Sequence, residues 1–316
     1  MRAIVQNAYG STDVLELKEI EKPIVIGDGV LVRVHAAGLH AGDVFTMKGS
    51  PYLARFFAGW PKPRDYVVGF AAAGVVEAVG AKVIRFKPGD EVFGECHCAC
   101  AEYACASQDL FAPKPANLSL VQAAAVPTSA LAALHCLRDA ANVQPGQKVL
   151  INGASGGVGT FAVQIGKWLG AEVTGVCSTR NVDLVRSIGA DHVVDYTQDD
   201  FARGERKYDV ILDNVGNRSF SDCRRALTPR GVLIPNTGNA GMGYVLAAYA
   251  RSVFVHQQAR PVVSTPKLED LITLKELIEA GKVTPVIDRT YQLSETPEAF
   301  AYLSEGHAQG KVVITI

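Results

Sequence analysis

The sequence lacks any long apolar run. No stretch reaches the ~18 residues of a membrane-spanning helix, and Arg251 interrupts the longest candidate. A secretory signal, with charged and then apolar residues, is also missing, because residues 1–5 (MRAIV) have the composition of a first strand. We therefore expect a cytoplasmic protein without a membrane span.

An excess of charge of one sign is also missing. The 316 residues carry 31 Lys and Arg against 32 Asp and Glu, which gives a formal net charge of −1. Electrostatic capture of nucleic acid or acidic lipid is therefore not expected. A hydrophobic content of 48% with 20% charged residues is typical of a soluble globular protein. The length allows two domains, each with its own core.

The seven cysteines are odd in number and do not suggest a disulfide framework. Four of them cluster at Cys96, Cys98, Cys100 and Cys105. The first three alternate along the chain, which predicts a strand with three thiols on one face. Thiols placed in this way are more often small buried hydrophobes than zinc ligands, which usually pair on a turn. A metal site at this cluster stays an open alternative.

The hydrophobic pattern divides the chain. Residues 1 to about 120 show no helical period and contain short strands, predicted at 2–6, 30–37, 73–79, 91–93 and 102–106. After residue 147, strands alternate with helices predicted near 158–169, 182–188 and 219–227, which indicates a parallel sheet covered by helices. The expected fold class is α/β, with domains at 1–122 (β-rich), 123–262 (doubly wound) and 263–316 (a return to the first domain).

Residues 148–180 (KVLINGASGGVGTFAVQIGKWLGAEVTGVCSTR) are the most informative segment. They predict a strand, a turn of small residues, a helix and a second strand. Glycine lets the backbone approach phosphates, and a helix N-terminus offers unpaired N–H groups at its positive end. A tight turn between packed elements is the alternative. The predicted dinucleotide-binding residues of the turn are Ala154, Ser155, Gly156, Gly157, Val158 and Gly159.

The end of the second strand bears on the choice of cofactor. NAD-preferring proteins place an Asp or Glu there, on the ribose hydroxyls. This chain has Ser178, Thr179 and Arg180 instead, and no acid. Two hydroxyls and a guanidinium suit a 2′-phosphate, so the sequence predicts NADPH as the cofactor.

Further motifs point to a family. They are GVVEAVG at 74–80, RFKPGDEVFG at 85–94, AEY at 101–103 and GKVV at 310–313. With the glycine turn, they make the chain resemble the medium-chain dehydrogenase/reductase superfamily over essentially its whole length, within its zinc-independent quinone oxidoreductase-like branch. The resemblance implies a GroES-like catalytic domain and a Rossmann domain, with the active site between them.

The resemblance also sets an expectation for zinc. Zinc alcohol dehydrogenases have metal ligands at the positions of His40, Phe70 and Thr128. One candidate ligand in three cannot hold a tetrahedral zinc ion, so we expect catalysis without metal. Alcohol oxidation is then disfavoured because no Lewis acid acidifies the hydroxyl. Hydride transfer to a quinone or an α,β-unsaturated carbonyl needs less assistance.

The site residues follow from the same resemblance. His40 is a candidate donor to a carbonyl oxygen, or a histidine bonded to nearby backbone. Asp43 is expected to orient its loop, and Tyr52 is a candidate phenol donor or an aromatic wall. Phe45 replaces a tyrosine that relatives often have. The cofactor-binding residues implied beyond the turn are Thr128, Ser178, Thr179, Arg180, Tyr196, Asn214, Val215, Gly238 and Lys311.

The expected function is therefore an NADPH-dependent oxidoreductase that reduces small quinone or enone acceptors. The alternative is an NADPH-binding regulatory or interaction protein with little turnover. A homodimer is expected because superfamily relatives commonly pair through the edge of the Rossmann sheet. The apolar segments 51–61 and 240–258, expected to shape the pocket, do not specify the natural acceptor.

Overall fold

The structure is a computed structural model that describes residues 1–50, 52, 55, 59–64, 66–237, 241–252 and 255–316. The chain divides into two compact units. The first comprises Met1–Leu131, Thr265–Gly281 and Pro285–Ile316, and the second comprises Ala132–Ser264 and Lys282–Thr284. The domain limits expected from the sequence, at residues 122 and 262, stay predictions.

The elements are numbered in chain order. The strands are β1 (Arg2–Gln6), β2 (Leu15–Glu19), β3 (Gly29–Leu39), β4 (Ala71–Val79), β5 (Glu91–Glu95), β6 (Tyr103–Ser107), β7 (Phe111–Pro113), β8 (Lys148–Asn152), β9 (Glu172–Cys177), β10 (His192–Asp195), β11 (Tyr208–Asp213), β12 (Leu227–Pro235), β13 (Gln258–Ala259), β14 (Ile287–Gln292) and β15 (Lys311–Thr315). The helices are α1 (Ala41–Lys48), α2 (Leu120–Ala124), α3 (Pro127–Leu134), α4 (Gly157–Trp168), α5 (Val182–Ser187), α6 (Phe220–Ala226), α7 (Gly241–Ser252), α8 (Leu268–Glu279) and α9 (Thr296–Ser304).

The first unit is built on a seven-stranded sheet. Its strand order is β14-β15-β3-β4-β5-β7, and β6 pairs with β3 outside this path. The C-terminal strand β15 runs antiparallel to β3, with Val313 opposite Gly38. Phe111 and Phe300 are fully buried in one core cluster with Ile4 and Val312. Residues near the two ends of the chain therefore share one core.

The second unit is a six-stranded parallel sheet in the order β10-β9-β8-β11-β12-β13. Successive strands move outward from β8 on one side and from β11 on the other. The carboxyl ends of β8 and β11 therefore form a topological switch point, where ligands bind in open α/β sheets. The predicted mixed α/β class is confirmed, and the predicted strand–turn–helix–strand segment corresponds to β8, α4 and β9.

Helix α1 contradicts the expectation that the first part of the chain has no helix. The helix has only eight residues, so it presents too few apolar positions to display a period. It is stabilised at its start by Asp43, whose Oδ2 accepts the backbone N–H of His40 at 2.8 Å. A side chain that bonds the backbone at a helix start compensates for a weak apolar stripe.

The predicted strand through Cys96, Cys98 and Cys100 is wrong. Strand β5 ends at Glu95, and residues 96–100 form a turn in which Cys98 has a φ of 74°. A left-handed residue breaks the alternation of a strand. Cys96 and Cys100 are buried in the core. Nowhere in the described parts of the chain do three or more His, Cys, Asp or Glu side chains form a group that could hold a metal ion.

None of the helices in the described residues is long and apolar enough to cross a bilayer.

Candidate active site

The glycine turn joins β8 to α4 in the second unit. The N–H groups of Gly153 and Ala154 both donate to the Val176 carbonyl oxygen, at 3.2 and 3.0 Å, which ties the turn to β9. The residue that caps α4 is Gly156, and it has no side chain to accept from the first-turn N–H groups. Those groups and the positive end of the helix dipole fit an anion such as a pyrophosphate.

Two glycines of the turn have different surroundings. A Cβ added to Gly159 would lie 2.0 Å from the Gly153 carbonyl oxygen, so the contact between turn and helix needs a glycine there. A Cβ added to Gly156 would meet only that same oxygen, at 3.5 Å, an ordinary contact distance. Packing therefore does not require Gly156, and the open space beside its Cα fits a group that approaches the backbone closely.

Asn181 connects this turn to the end of β9. Its Nδ2 donates to Ser155 Oγ at 2.9 Å, and both residues are buried. Its Oδ1 is buried and has no hydrogen-bond partner within the part of the chain that the structure describes. Sequence reasoning missed Asn181, although an amide directly after Arg180 was a visible signal. An unpaired buried acceptor beside the glycine turn fits a polar ligand.

The predicted 2′-phosphate residues lie together at one edge of the parallel sheet. Ser178 precedes a 3₁₀ turn over Thr179–Asn181, and the side chains of Thr179 and Arg180 are exposed. Tyr196, 53% exposed, donates its backbone N–H to the Cys177 carbonyl oxygen at 3.0 Å, which places it opposite the end of β9. The arrangement leaves this group of side chains accessible to a ligand.

The end of β9 itself carries no acid, as the sequence shows, but the neighbouring strand does. Strand β10 brings Asp195 beside β9, and Asp195 Oδ2 accepts the Thr179 hydroxyl at 2.6 Å. The sequence rule considers only acids on the second strand itself. Pairing between β9 and β10 places this acid opposite Cys177, the last residue of β9.

A buried carboxylate organises the carboxyl end of β11. Asp213 is fully buried and accepts from Asn152 Nδ2 at 2.8 Å, from the Val215 and Gly216 N–H groups at 3.1 and 2.9 Å, and from the Tyr244 hydroxyl at 2.6 Å. Burial, with the Asp213 charge, raises the pKa of Tyr244, so its phenol stays a donor. Sequence reasoning missed Asp213 and Tyr244, because they join elements far apart in the chain.

This carboxylate holds the loop that contains two predicted cofactor residues. Asn214 donates through Nδ2 to the Asn152 carbonyl oxygen at 3.2 Å and accepts Asn236 Nδ2 at 2.8 Å. Val215 accepts the Thr237 hydroxyl at 3.2 Å through its carbonyl oxygen. The structure thus places Asn214 and Val215 at the switch point, whereas Gly238 lies outside the described residues.

The first unit holds the predicted catalytic pair. His40 precedes α1, and its Nδ1 bonds Asp43 Oδ2, the atom that also accepts the His40 backbone N–H. Asp43 is 2% exposed, and its Oδ1 has no hydrogen-bond partner in the described residues. Asp43 therefore orients both the backbone and the ring of His40. A pocket beside Asp43 is lined by Asp43, Thr46, Val67, Val68, Gly69, Phe70 and His97.

Lys311 lies on β15 and is 1% exposed. Its Nζ donates to the Leu39 carbonyl oxygen at 2.6 Å and to Ser129 Oγ at 2.8 Å. Burial lowers the pKa of Lys311 to about 8, while the charges of Asp43 and Glu95 act in the opposite direction. The ammonium therefore anchors the end of β3 directly before His40. Its expected contact with the cofactor stays a prediction.

Two other predicted residues also belong to the first unit. Thr128 is in the first turn of α3, and its Oγ1 is buried with no hydrogen-bond partner among the described residues. Tyr52 is 71% exposed and packs over the Arg55 guanidinium, 4.3 Å from the ring centroid, while Tyr9 packs on that guanidinium at 4.4 Å. Its role as a phenol donor stays a prediction.

Comparison with known proteins identifies the family. A family model described as "Alcohol dehydrogenase GroES-like domain" matches residues 27–181, and one described as "Zinc-binding dehydrogenase" matches residues 188–314. The chain is 34% identical over 331 residues to a chloroplastic quinone-oxidoreductase homolog of Spinacia oleracea, covering 99% of this chain and 98% of that protein.

The chain belongs to the medium-chain dehydrogenase/reductase superfamily, in its zinc-independent quinone-oxidoreductase-like branch.

Two further relatives and one solved structure support this family assignment. The human mitochondrial NAD(P)H oxidoreductase RTN4IP1 is 34% identical over 100% of this chain and 89% of that protein. The 2-methylene-furan-3-one reductase of Solanum lycopersicum is 33% identical over 99% and 79%. The quinone oxidoreductase structure from Coxiella burnetii has a TM-score of 0.89 and 31% identity, covering 100% and 99% of the two chains. This medium-chain dehydrogenase/reductase is therefore an oxidoreductase that uses a nicotinamide cofactor.

The matched description "Zinc-binding dehydrogenase" raises the question of whether zinc fits this chain. His40 is engaged by Asp43, and Phe70 lies edge-on between His40 and His97, with ring centroids 5.8 and 5.4 Å away. A phenyl ring supplies no ligand atom, and the described residues offer no group of three donors for a metal ion. The donor set does not fit tetrahedral zinc.

We expect turnover of this medium-chain dehydrogenase/reductase to be unchanged after dialysis against a strong chelator. The reason is that the side chain at position 70 is apolar where a metal site needs a ligand. Cofactor oxidation rates before and after dialysis, together with elemental analysis, check this. Stoichiometric zinc in the purified protein, or activity that returns only with zinc, would contradict it.

Proposed function

We propose that the chain is an NADPH-dependent reductase that transfers hydride to quinones or α,β-unsaturated carbonyls without catalytic zinc. One observation carries the proposal: the buried hydrogen bond of 2.9 Å between Asn181 and Ser155. It joins the phosphate-binding turn to the segment that carries Ser178, Thr179 and Arg180. One continuous surface of the second unit can therefore hold the pyrophosphate and the 2′-phosphate of a single dinucleotide.

The cofactor side uses groups of the second unit. The first-turn N–H groups of α4 would bind the pyrophosphate, and Asn214 and Val215 would border the ribose next to the nicotinamide at the switch point. Arg180 would pair with the 2′-phosphate, because a guanidinium matches phosphate oxygens in charge and geometry. A reduced nicotinamide supplies the hydride when it is bound.

The acceptor side uses His40 in the first unit. Its Nδ1 bonds Asp43, so Nε2 is the ring nitrogen that remains for a carbonyl oxygen. Nε2 carries a proton only in the imidazolium form when Nδ1 already donates to the carboxylate. In that form His40 would donate to the oxygen on which charge develops as the hydride arrives. Asp43 would act through the ring it orients.

The acceptor class is supported by chemistry and by relatives. The side chains beside Asp43 include Val67, Val68 and Phe70, and apolar neighbours of this kind would favour a conjugated, uncharged acceptor. Quinones and enones share a carbonyl conjugated to a carbon that accepts hydride. One relative is described as a quinone-oxidoreductase homolog and another as a 2-methylene-furan-3-one reductase.

The test is cofactor oxidation with a panel of quinones and enones, measured with NADPH and with NADH. We expect turnover with at least one acceptor and a higher kcat/KM with NADPH. Arg180→Ala should lower kcat/KM for NADPH by roughly tenfold to a hundredfold, because a charge-assisted contact with phosphate is lost, and should change NADH little. Arg203→Ala is the matched control, since its side chain is 83% exposed and pairs with Asp200.

Tight NADPH binding without turnover on any acceptor would contradict the enzyme proposal and favour the alternative of an NADPH-binding interaction protein. Equal losses with both cofactors in Arg180→Ala would contradict the 2′-phosphate assignment. The homodimer and the cytoplasmic location stay proposals, and light scattering of the purified protein would measure the first.

A further inference from the structure

An acidic side chain stands beside the residues proposed to bind the 2′-phosphate. Strands β9 and β10 are parallel, and their register sets Asp195 opposite Cys177, the last residue of β9. NAD-preferring folds place a carboxylate at the end of that second strand, where it accepts from the ribose hydroxyls. Here the neighbouring strand delivers the carboxylate to the same edge.

The hydrogen bonds around Asp195 use up the nearby hydroxyl protons. Thr179 Oγ1 donates to Asp195 Oδ2 at 2.6 Å. Thr197 Oγ1 lies 2.8 Å from Asp195 Oδ1 and 2.9 Å from Thr179 Oγ1, so its proton goes to one of these two oxygens. The Thr197 N–H and Gln198 Nε2 add bonds of 3.0 and 3.2 Å. These bonds, with Thr179 first, hold the pKa of Asp195 below its usual range. The carboxylate is therefore ionised at neutral pH.

A hydroxyl has a single proton to donate. Because Thr179 gives its proton to Asp195, its oxygen can only accept, and so can the oxygens of a phosphate dianion. A 2′-phosphate at Arg180 would thus meet an acceptor at Thr179 and a negative charge directly behind it. A ribose 2′-hydroxyl, which can donate, would instead find two acceptors.

We propose that Asp195 is a specificity-determining residue that weakens binding of the 2′-phosphate, so that this chain uses NADH as well as NADPH. The inference rests on the proposed function only in requiring that a dinucleotide binds at the glycine turn. Arg180 attracts the phosphate and Asp195 opposes it, and their balance sets the cofactor ratio.

The test is titration calorimetry with NADPH and with NADH on the full chain and on Asp195→Asn. We expect the Kd for NADPH to fall by roughly fivefold to fiftyfold in the variant, as removal of a unit charge a few ångströms from phosphate predicts. The Kd for NADH should stay the same or rise. Asp199→Asn is the matched control, because it removes an exposed carboxylate from the same loop, and it should change neither Kd.

Thr179→Val provides an independent readout. In the natural background its hydroxyl proton is committed to Asp195, so the substitution should weaken NADPH binding less than it does in the Asp195→Asn background. In the Asp195→Asn background the amide nitrogen can donate to Thr179 Oγ1 and leave the hydroxyl proton for the phosphate. The same substitution should then weaken NADPH roughly fivefold or more. The four proteins to compare are the natural chain, Thr179→Val, Asp195→Asn and the double variant. A fluorescence or calorimetric titration gives the Kd of each for NADPH.

The outcomes separate the two proposals. If NADPH binding is unchanged or weaker in Asp195→Asn, or tightens equally in Asp199→Asn, the role of Asp195 is overturned while the NADPH site stands. If Thr179→Val weakens NADPH binding equally in both backgrounds, the claim that the Thr179 hydroxyl donates its proton to Asp195 is overturned. If the natural chain binds neither dinucleotide, the proposed function itself fails.

Discussion

Replacing Gly156 with alanine is expected to weaken dinucleotide binding by roughly tenfold to a hundredfold while thermal unfolding stays nearly unchanged. The new Cβ would meet only the Gly153 carbonyl oxygen, at 3.5 Å, so the protein itself accommodates it. Gly156 has a φ of −84°, which alanine adopts without strain. The methyl group would instead enter the space that a pyrophosphate needs next to the backbone.

The same change at Gly159 is expected to lower the stability of the folded protein. Its Cβ would lie 2.0 Å from the Gly153 carbonyl oxygen and 2.8 Å from Ala154 backbone atoms, so the turn has to move. Alanine gains about 1 kcal/mol over glycine in a helix, but an overlap with rigid backbone costs about 3 kcal/mol or more. We therefore expect a clear loss of stability.

The two alanine variants control for each other, because they add the same methyl group three residues apart. Calorimetric melting gives the stability, and titration with NADPH gives the affinity. A large loss of stability in Gly156→Ala would mean that packing requires this glycine. Undiminished NADPH binding in a folded Gly156→Ala protein would show that the dinucleotide does not bind at the turn.

Raising the pH from 8 to 10.5 is expected to stabilise the natural protein relative to Lys311→Met by about 3 kcal/mol. Burial lowers the pKa of Lys311 from 10.5 to about 8, so the folded state binds its proton less tightly than the unfolded state. Below pH 8 the lysine is charged in both states and the cost of burying the charge is complete. Above 10.5 it is neutral in both states and that cost is absent.

The difference between the two proteins is needed because other groups titrate in the same range. Burial raises the pKa of several thiols, so their ionisation in the unfolded chain destabilises both proteins as the pH rises. These thiols belong to Cys96, Cys100, Cys136, Cys177 and Cys223. Their contribution cancels when the free energy of unfolding of Lys311→Met is subtracted.

Urea unfolding at a series of pH values measures this difference. Lys311→Arg is the control, since a guanidinium does not titrate in this range and its difference from Lys311→Met should stay flat. A constant difference between the natural protein and Lys311→Met would contradict the lowered pKa. The result bears on His40, because the ammonium of Lys311 bonds the Leu39 carbonyl oxygen directly before it.

The parts of the site that the sequence predicts best are those formed by residues close together in the chain. The β8–α4–β9 segment was predicted with its bounds nearly right, since a β-branched run, a small-residue turn and an amphipathic helix are local signals. The pair of His40 and Asp43 was also within reach of the sequence, because three residues separate them across one helix start. Helix α1 itself was missed, since eight residues are too few to establish a period.

Other features needed contacts between distant segments. The turn at residues 96–100 replaced the strand that alternating cysteines predicted, because Cys98 takes a left-handed backbone. Tyr244 reaches Asp213 across 31 residues, and Lys311 reaches Leu39 across 272. Local pattern carries no information about which buried donor finds which acceptor.

By itself, the sequence determined the α/β class, the family and the place of the glycine turn, because these depend on local propensity and on motifs that are contiguous in the chain. Only the tertiary structure decided that a negative charge lies beside residues 178–180. Asp195 and Thr179 are 16 residues apart, and the register between β9 and β10 brings them into contact. Strand register follows from packing of the whole sheet, so no single segment of the sequence specifies it.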